Sequence, residues 1–141
     1  MKMKYIKEIF NFNENKSIFL SKTEDYGSYE GIIHSDLQKI KNWFLKRHID
    51  YEKYINYIEI PIAFLNNINV DEDYRGQGYG NELYLDFEEK CYDNNVTTIF
   101  LESDSGEEQK EGFILDDWYK SFEFEIIGNE NENSIMMKKL E

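Results

Sequence analysis

Residues 70–83 read V-D-E-D-Y-R-G-Q-G-Y-G-N-E-L and lie between an apolar run and an amphipathic one. Gly76, Gly78 and Gly80 alternate just where a strand hands over to a helix. Glycine allows positive φ and lets a ligand approach the main chain closely. The unpaired amides of the next helix's first turn, aided by the helix dipole, attract anions. The stretch is thus a cradle for a phosphate or pyrophosphate, with the Arg75 side chain as a cation at its lip.

Two familiar cradles are excluded by spacing. A Walker loop needs Gly-Lys-Ser or Gly-Lys-Thr four residues after its first glycine, and no lysine and hydroxyl stand there after Gly76. A dinucleotide fingerprint needs Gly-x-Gly-x-x-Gly, but its sixth position is Asn81 counted from Gly76 and Leu83 counted from Gly78. What remains is Arg75-x-x-Gly78-x-Gly80 after a strand ending in Val70. This resembles motif A of the GNAT (GCN5-related) N-acetyltransferases, in which Gln or Arg, two residues, Gly, one residue and Gly or Ala follow one another. The resemblance implies an α+β fold of three layers: a mixed central sheet with flanking helices, of the acyl-CoA N-acyltransferase type. It also implies acetyl-CoA as acyl donor. The main chain of Ile68, Asn69 and Val70 would pair with the pantetheine arm. Arg75, Gly76 and the amides of Gln77, Gly78, Tyr79, Gly80 and Asn81 would hold the pyrophosphate.

Length and composition bound the rest. A chain of 141 residues has room for one domain, here 1–141, and 40% hydrophobic residues with 16% aromatics can pack a core. No apolar run approaches the roughly 18 residues of a spanning helix, and M-K-M-K-Y-I-K-E lacks a signal peptide's apolar region. A cytoplasmic protein is expected, with no membrane partner. The formal charge of −13 disfavours direct nucleic-acid binding and favours a cationic acceptor. Candidates are a small amine, a polyamine, an aminoglycoside, or a lysine or N-terminus of a basic protein or peptide. A homodimer is one open assembly. Cys91 is read as core, and His34 and His48 as ordinary residues, so no residue is assigned to a metal.

Short apolar clusters over residues 3–34 suggest two or three strands joined by turns. Leu37, Ile40, Trp43, Phe44 and Ile49 recur at helical spacing after Ser35 or Asp36, either of which can cap a helix. Tyr51, Tyr54 and Tyr57 either continue that helix or line an acceptor pocket. In the strand before the cradle, Ile62, Phe64, Ile68 and Val70 share one face by period-two counting. Asn66, Asn67 and Asn69 are unusual in so apolar a strand and want water or a ligand. After the cradle, Tyr79, Leu83, Phe87 and Cys91 form one helical stripe, and V-T-T-I-F-L is a strand parallel to the first.

Residues 118–124, W-Y-K-S-F-E-F, and the strands after them resemble the F-Y-x-x-x-G-F helix and hairpin that close GNAT chains. Tyr119 falls at the tyrosine that in many members protonates the departing CoA thiolate. Glu123 stands where the family has glycine, so a different turn is expected there. For a base, Glu102 follows Leu101 as a leucine-glutamate pair does in the ribosomal-protein N-terminal acetyltransferases. An acidic loop without catalytic role, or water as base, stays open. The loop S-D-S-G-E-E-Q-K-E-G is a candidate acceptor rim. The resemblance thus implies an N-acetyltransferase acting on a primary amine. A second reading is an inactive GNAT-fold binding or inhibitor protein that docks a basic partner through its acidic surface.

Overall fold

The computed structural model describes residues 17–104 and 114–140. The first apolar cluster, from Tyr5 to Phe12, and the centre of the acidic loop lie outside the described residues. The chain runs β1 (Ser17–Glu24), β2 (Gly27–His34), α1 (Leu37–Lys46), β3 (Ile62–Val70), α2 (Tyr79–Asp93), β4 (Thr98–Ser103), α3 (Leu115–Lys120), β5 (Glu125–Glu130) and β6 (Asn133–Lys139). One six-stranded sheet has the order β1-β2-β3-β4-β6-β5, and β3 with β4 is its parallel pair.

Alternation along the strands divides the core in two. Ile99, Leu101 and Met136 face α2 and α3, where Leu83, Tyr84, Phe87, Cys91 and Tyr119 are buried. Phe100, Ile135 and Met137 face α1, where Ile40, Trp43 and Phe44 are buried. Each such large apolar side chain contributes about 1.5–3 kcal/mol by leaving water. Helices thus cover both faces of a mixed sheet, the expected three layers. Cys91 is core as expected, and burial pushes its thiol up to about 12.

Helix α1 starts at Asp36, whose side chain accepts from the Lys39 amide at 3.1 Å. It ends at Lys46, with His48 at φ 58°, so buried Ile49 is reached by a turn and not by the helix. Two 3₁₀ turns follow, Tyr51–Lys53 and Ile55–Tyr57. Tyr54 between them is buried, and its hydroxyl donates to Glu130 of β5 at 2.8 Å.

The period-two reading of β3 fails at Asn66. Glu30 pairs with Asn67 while Gly31 pairs with Leu65, so Asn66 is the extra residue of a β-bulge. The bulge reverses the strand's faces. Ile62 and Phe64 pack on the α1 side, whereas Ile68 and Val70 pack on the α2 side.

The turn after α3 keeps a glycine's geometry without a glycine. Phe124 N–H donates to Tyr119 C=O at 3.3 Å and Glu123 N–H to Lys120 C=O at 2.9 Å, the paired bonds of a Schellman ending. Glu123 takes φ 75°, the left-handed conformation this ending requires. The expected change of turn is therefore absent.

Candidate acyl-donor site

The parallel pairing of β3 and β4 runs from Ile62 with Thr98 to Leu65 with Leu101 and then stops. Both strands go on, β3 to Val70 and β4 to Ser103. Beyond Leu65 no strand among the described residues pairs with the edge of β3 that faced β4, while its other edge still pairs with β2. Main-chain groups along that open edge need partners, and an extended ligand arm can supply them.

Past Val70 the chain makes a 3₁₀ turn, Glu72–Tyr74, and enters α2 through two left-handed glycines, Gly76 (φ 80°) and Gly78 (φ 87°). Gly78 is the N-cap and offers no side chain to the helix. The first intrahelical bond is Glu82 N–H to Gly78 C=O at 3.2 Å. The amides of Tyr79, Gly80 and Asn81 thus sit in the uncapped first turn, at the positive end of the dipole.

The first turn opens on a cavity of about 380 Å³. Ile68, Asn69, Val70, Arg75, Gly76, Gly78, Tyr79, Gly80 and Asn81 line it, joined by Tyr74, Leu115 and Trp118. Of the residues expected at the donor, Gln77 alone is not in the lining, and it is exposed. Arg75 does line it, with its Nε–H tied to the Val70 carbonyl at 2.8 Å. Tyr79 stacks on Tyr26 with ring centroids 4.1 Å apart, which fixes the loop against the β1–β2 turn.

Trp118 and Leu115 were missed by sequence reasoning, which looked only at the tyrosine beside them. Their spacing of three on a short helix was the available signal. The Trp118 indole donates to Asn81 Oδ1 at 3.0 Å and covers Gly80.

Tyr119 and Glu102 do not line the cavity. Tyr119 belongs to the core on the α2 side, against Trp118 and Phe124. Burial, and then the charge of Asp116, raises its pKa, which keeps the phenol protonated. Its hydroxyl makes no hydrogen bond to a described residue, and the residue as a whole is 6% exposed. Asp116 accepts from the Ser103 and Ser134 hydroxyls at 2.5 and 2.6 Å, fastening α3 to β4 and β6.

Glu102 is the residue after the last β3–β4 pair and alternates onto the α1 face with Phe100. It is half-buried and accepts from Asn133 Nδ2 at 3.0 Å. Asn66 lies across the gap, where its Oδ1 accepts from Trp43 Nε1 at 2.9 Å and Arg47 Nη2 at 3.0 Å. The cavity and Glu102 thus occupy opposite faces of the sheet, at the place where two strands part. His34 is buried, and its Nδ1 shares a hydrogen bond of 2.7 Å with the Ser17 hydroxyl.

The sequence pattern of the Acetyltransferase (GNAT) family matches residues 40–114, more than half of the chain. This chain is a member of the GNAT acetyltransferase family. The matched span holds α1 from Ile40 on, β3, the glycine turn, α2 and β4, while Tyr119 lies beyond it. Solved GNAT-type structures share the fold. An acetyltransferase from Bacillus cereus superposes with a TM-score of 0.56 at 17% identity, over 99% of this chain and 88% of that one. The PaiA N-acetyltransferase from Thermoplasma acidophilum, solved with coenzyme A, gives 0.51 at 16%, over 99% and 71%. The ribosomal-protein-S18-alanine N-acetyltransferase from Escherichia coli gives 0.51 at 17%, over 92% and 75%. Comparison with curated proteins by sequence gives no match. Among the described residues of this GNAT chain, no helix is long and apolar enough to cross a membrane.

Proposed function

We propose that the chain, acting as one GNAT domain, transfers the acetyl group of acetyl-CoA to a primary amine. The observation that carries this is the uncapped first turn of α2, opening on a cavity that continues along β3 past its last pair with β4. The amides of residues 78–81 take the pyrophosphate, Arg75 adds charge at the lip, and the main chain of Ile68, Asn69 and Val70 takes the pantetheine arm. The PaiA structure with coenzyme A, similar in fold, supports this donor. Four residues of β3 span roughly 13 Å at about 3.3 Å each, so an arm running back from Val70 delivers its thioester to the gap beside Asn66.

Chemistry follows from the gap. The amine enters from the α1 face and gives a proton to Glu102 or to water, which frees its lone pair. That pair attacks the thioester carbonyl. The tetrahedral adduct collapses with cleavage of the C–S bond, the departing thiolate takes the Tyr119 proton, and the second amine proton, lost from the adduct nitrogen through water, restores the Tyr119 phenol. An N-acetyl amine and CoA are the products. The acidic surface favours acceptors that arrive protonated, which include small amines, polyamines, aminoglycosides and protein lysines or N-termini.

CoA release with a panel of such amines tests the reading. Tyr119→Phe and Glu102→Gln should each lower kcat by about 100-fold, a usual share for one proton-transfer group, with acetyl-CoA still bound. In Glu102→Gln, raising the pH should restore part of the rate by deprotonating the amine in solution. Two variants as active as the parent protein would overturn the assigned roles.

A further inference from the structure

Across the gap from Glu102 stands a cation that the chemistry above does not use. Arg47, just past the end of α1, lays its guanidinium over the Trp43 ring, 4.0 Å from the centroid. Of the five N–H groups a guanidinium carries, one on Nη1 is held by the Trp43 carbonyl and one on Nη2 by Asn66 Oδ1, each at 3.0 Å. The others point to no described acceptor.

The group is half-buried, and that burial lowers its pKa, with Glu102 opposing the shift. Glu102 acts only at a distance: its bound oxygen is taken by Asn133, and no described carboxylate lies within ion-pair range of Arg47. A partly desolvated charge without a counter-ion is costly. A guanidinium fixed in plane by a stacked ring is also pre-set for two parallel bonds to a carboxylate.

Positive Arg47 and negative Glu102 therefore flank the gap where β3 and β4 part, both on the α1 face. We propose that the acceptor is a zwitterion, an amino acid or a compound with the same free amine and carboxylate, its carboxylate on Arg47 and its amine toward Glu102. The proposal rests on the transferase reading and narrows it, because polyamines and aminoglycosides lack the anion. The net charge of the chain does not oppose it, since exposed charges more than about 8–10 Å away are largely screened.

The test pairs the α-amino acids with their α-amides as acceptors, with spermidine as a cation without a carboxylate, and reads kcat/KM from CoA release. The expected result is a preference of about ten-fold or more for one or more carboxylates over the matching amides. That ratio should fall toward one in Arg47→Gln and survive in part in Arg47→Lys. Acetyl-CoA titration of both variants checks that they are folded. Amides or spermidine used as well as the carboxylates, or a preference that persists in Arg47→Gln, overturns the proposal. If acetyl-CoA is neither bound nor consumed, the transferase reading is what has failed. Calorimetric titration with N-acetylamino acids and their amides then judges the Arg47 site separately: carboxylate-dependent binding lost in Arg47→Gln upholds it, and no such binding overturns it.

Discussion

The indole of Trp118 donates to Asn81 at 3.0 Å and lies so close over Gly80 that a Cβ there would stand 3.3 Å from Cζ2. A short helix near the end of the chain is thereby bound to the first turn of α2, and the cavity between them acquires an apolar wall. Trp118→Ala should weaken acetyl-CoA binding about ten-fold, near 1.4 kcal/mol, by calorimetric titration. Unchanged affinity would mean that the wall does not touch the donor.

Gly78 and Gly80 are glycines for different reasons. At Gly78 an added Cβ would meet nothing, but φ is 87°. Gly78→Ala should thus lose about 1–2 kcal/mol of stability from conformation alone, read by denaturant unfolding. Gly80 has no left-handed φ and is limited by Trp118, whereas Val70 would stand in ordinary contact with an added Cβ. In a Trp118→Ala background, Gly80→Ala should become neutral or stabilising by up to about 1 kcal/mol, as helix propensity then decides. Additive effects of the two substitutions would contradict this coupling.

Glu123 holds a left-handed conformation with a Cβ, at φ 75°. Glu123→Gly should raise stability by about 1 kcal/mol, the usual steric cost of that region. A lower melting temperature in the variant would show that the Glu123 side chain compensates for its backbone.

His34 gives a pH dependence of definite sign. Its pKa is lowered by burial first, then by Lys39. The folded state thus binds the proton more weakly than the unfolded state, and stability rises with pH while the unfolded state holds the excess. The contribution of neutral His34 should be complete above the free histidine value of about 6.5 and lost as the pH falls through the folded pKa. His34→Gln should flatten the melting temperature over that acidic range. An equal slope in the variant would assign the effect to other groups.

Much of this was readable because it is written in residues with narrow tolerances. The glycines near α2 could be placed because few other residues take φ 87° or fit beneath an indole. Leu83, Phe87 and Cys91 fixed their helix face by spacing, and a β-branched run fixed β4. The bulge at Asn66 was hidden because period-two counting assumes an unbroken ladder. One extra residue moved Ile68 and Val70 to the other face. Trp118 was passed over since an aromatic at helical spacing is ordinary core. Arg47 was missed although it stands four residues after Trp43, the spacing at which a cation covers a ring on a helix. What those two residues do depends on what lies across from them in space, which no local pattern records.

The central claim is that the glycine turn and the open edge of β3 bind acetyl-CoA. Calorimetric titration of the protein and of a Gly78→Glu, Gly80→Glu variant with acetyl-CoA tests it most directly, with unfolding curves to show that both are folded. Saturable binding by the protein that vanishes in the folded variant is the expected result. No binding by the protein, or equal binding by both, would contradict the account.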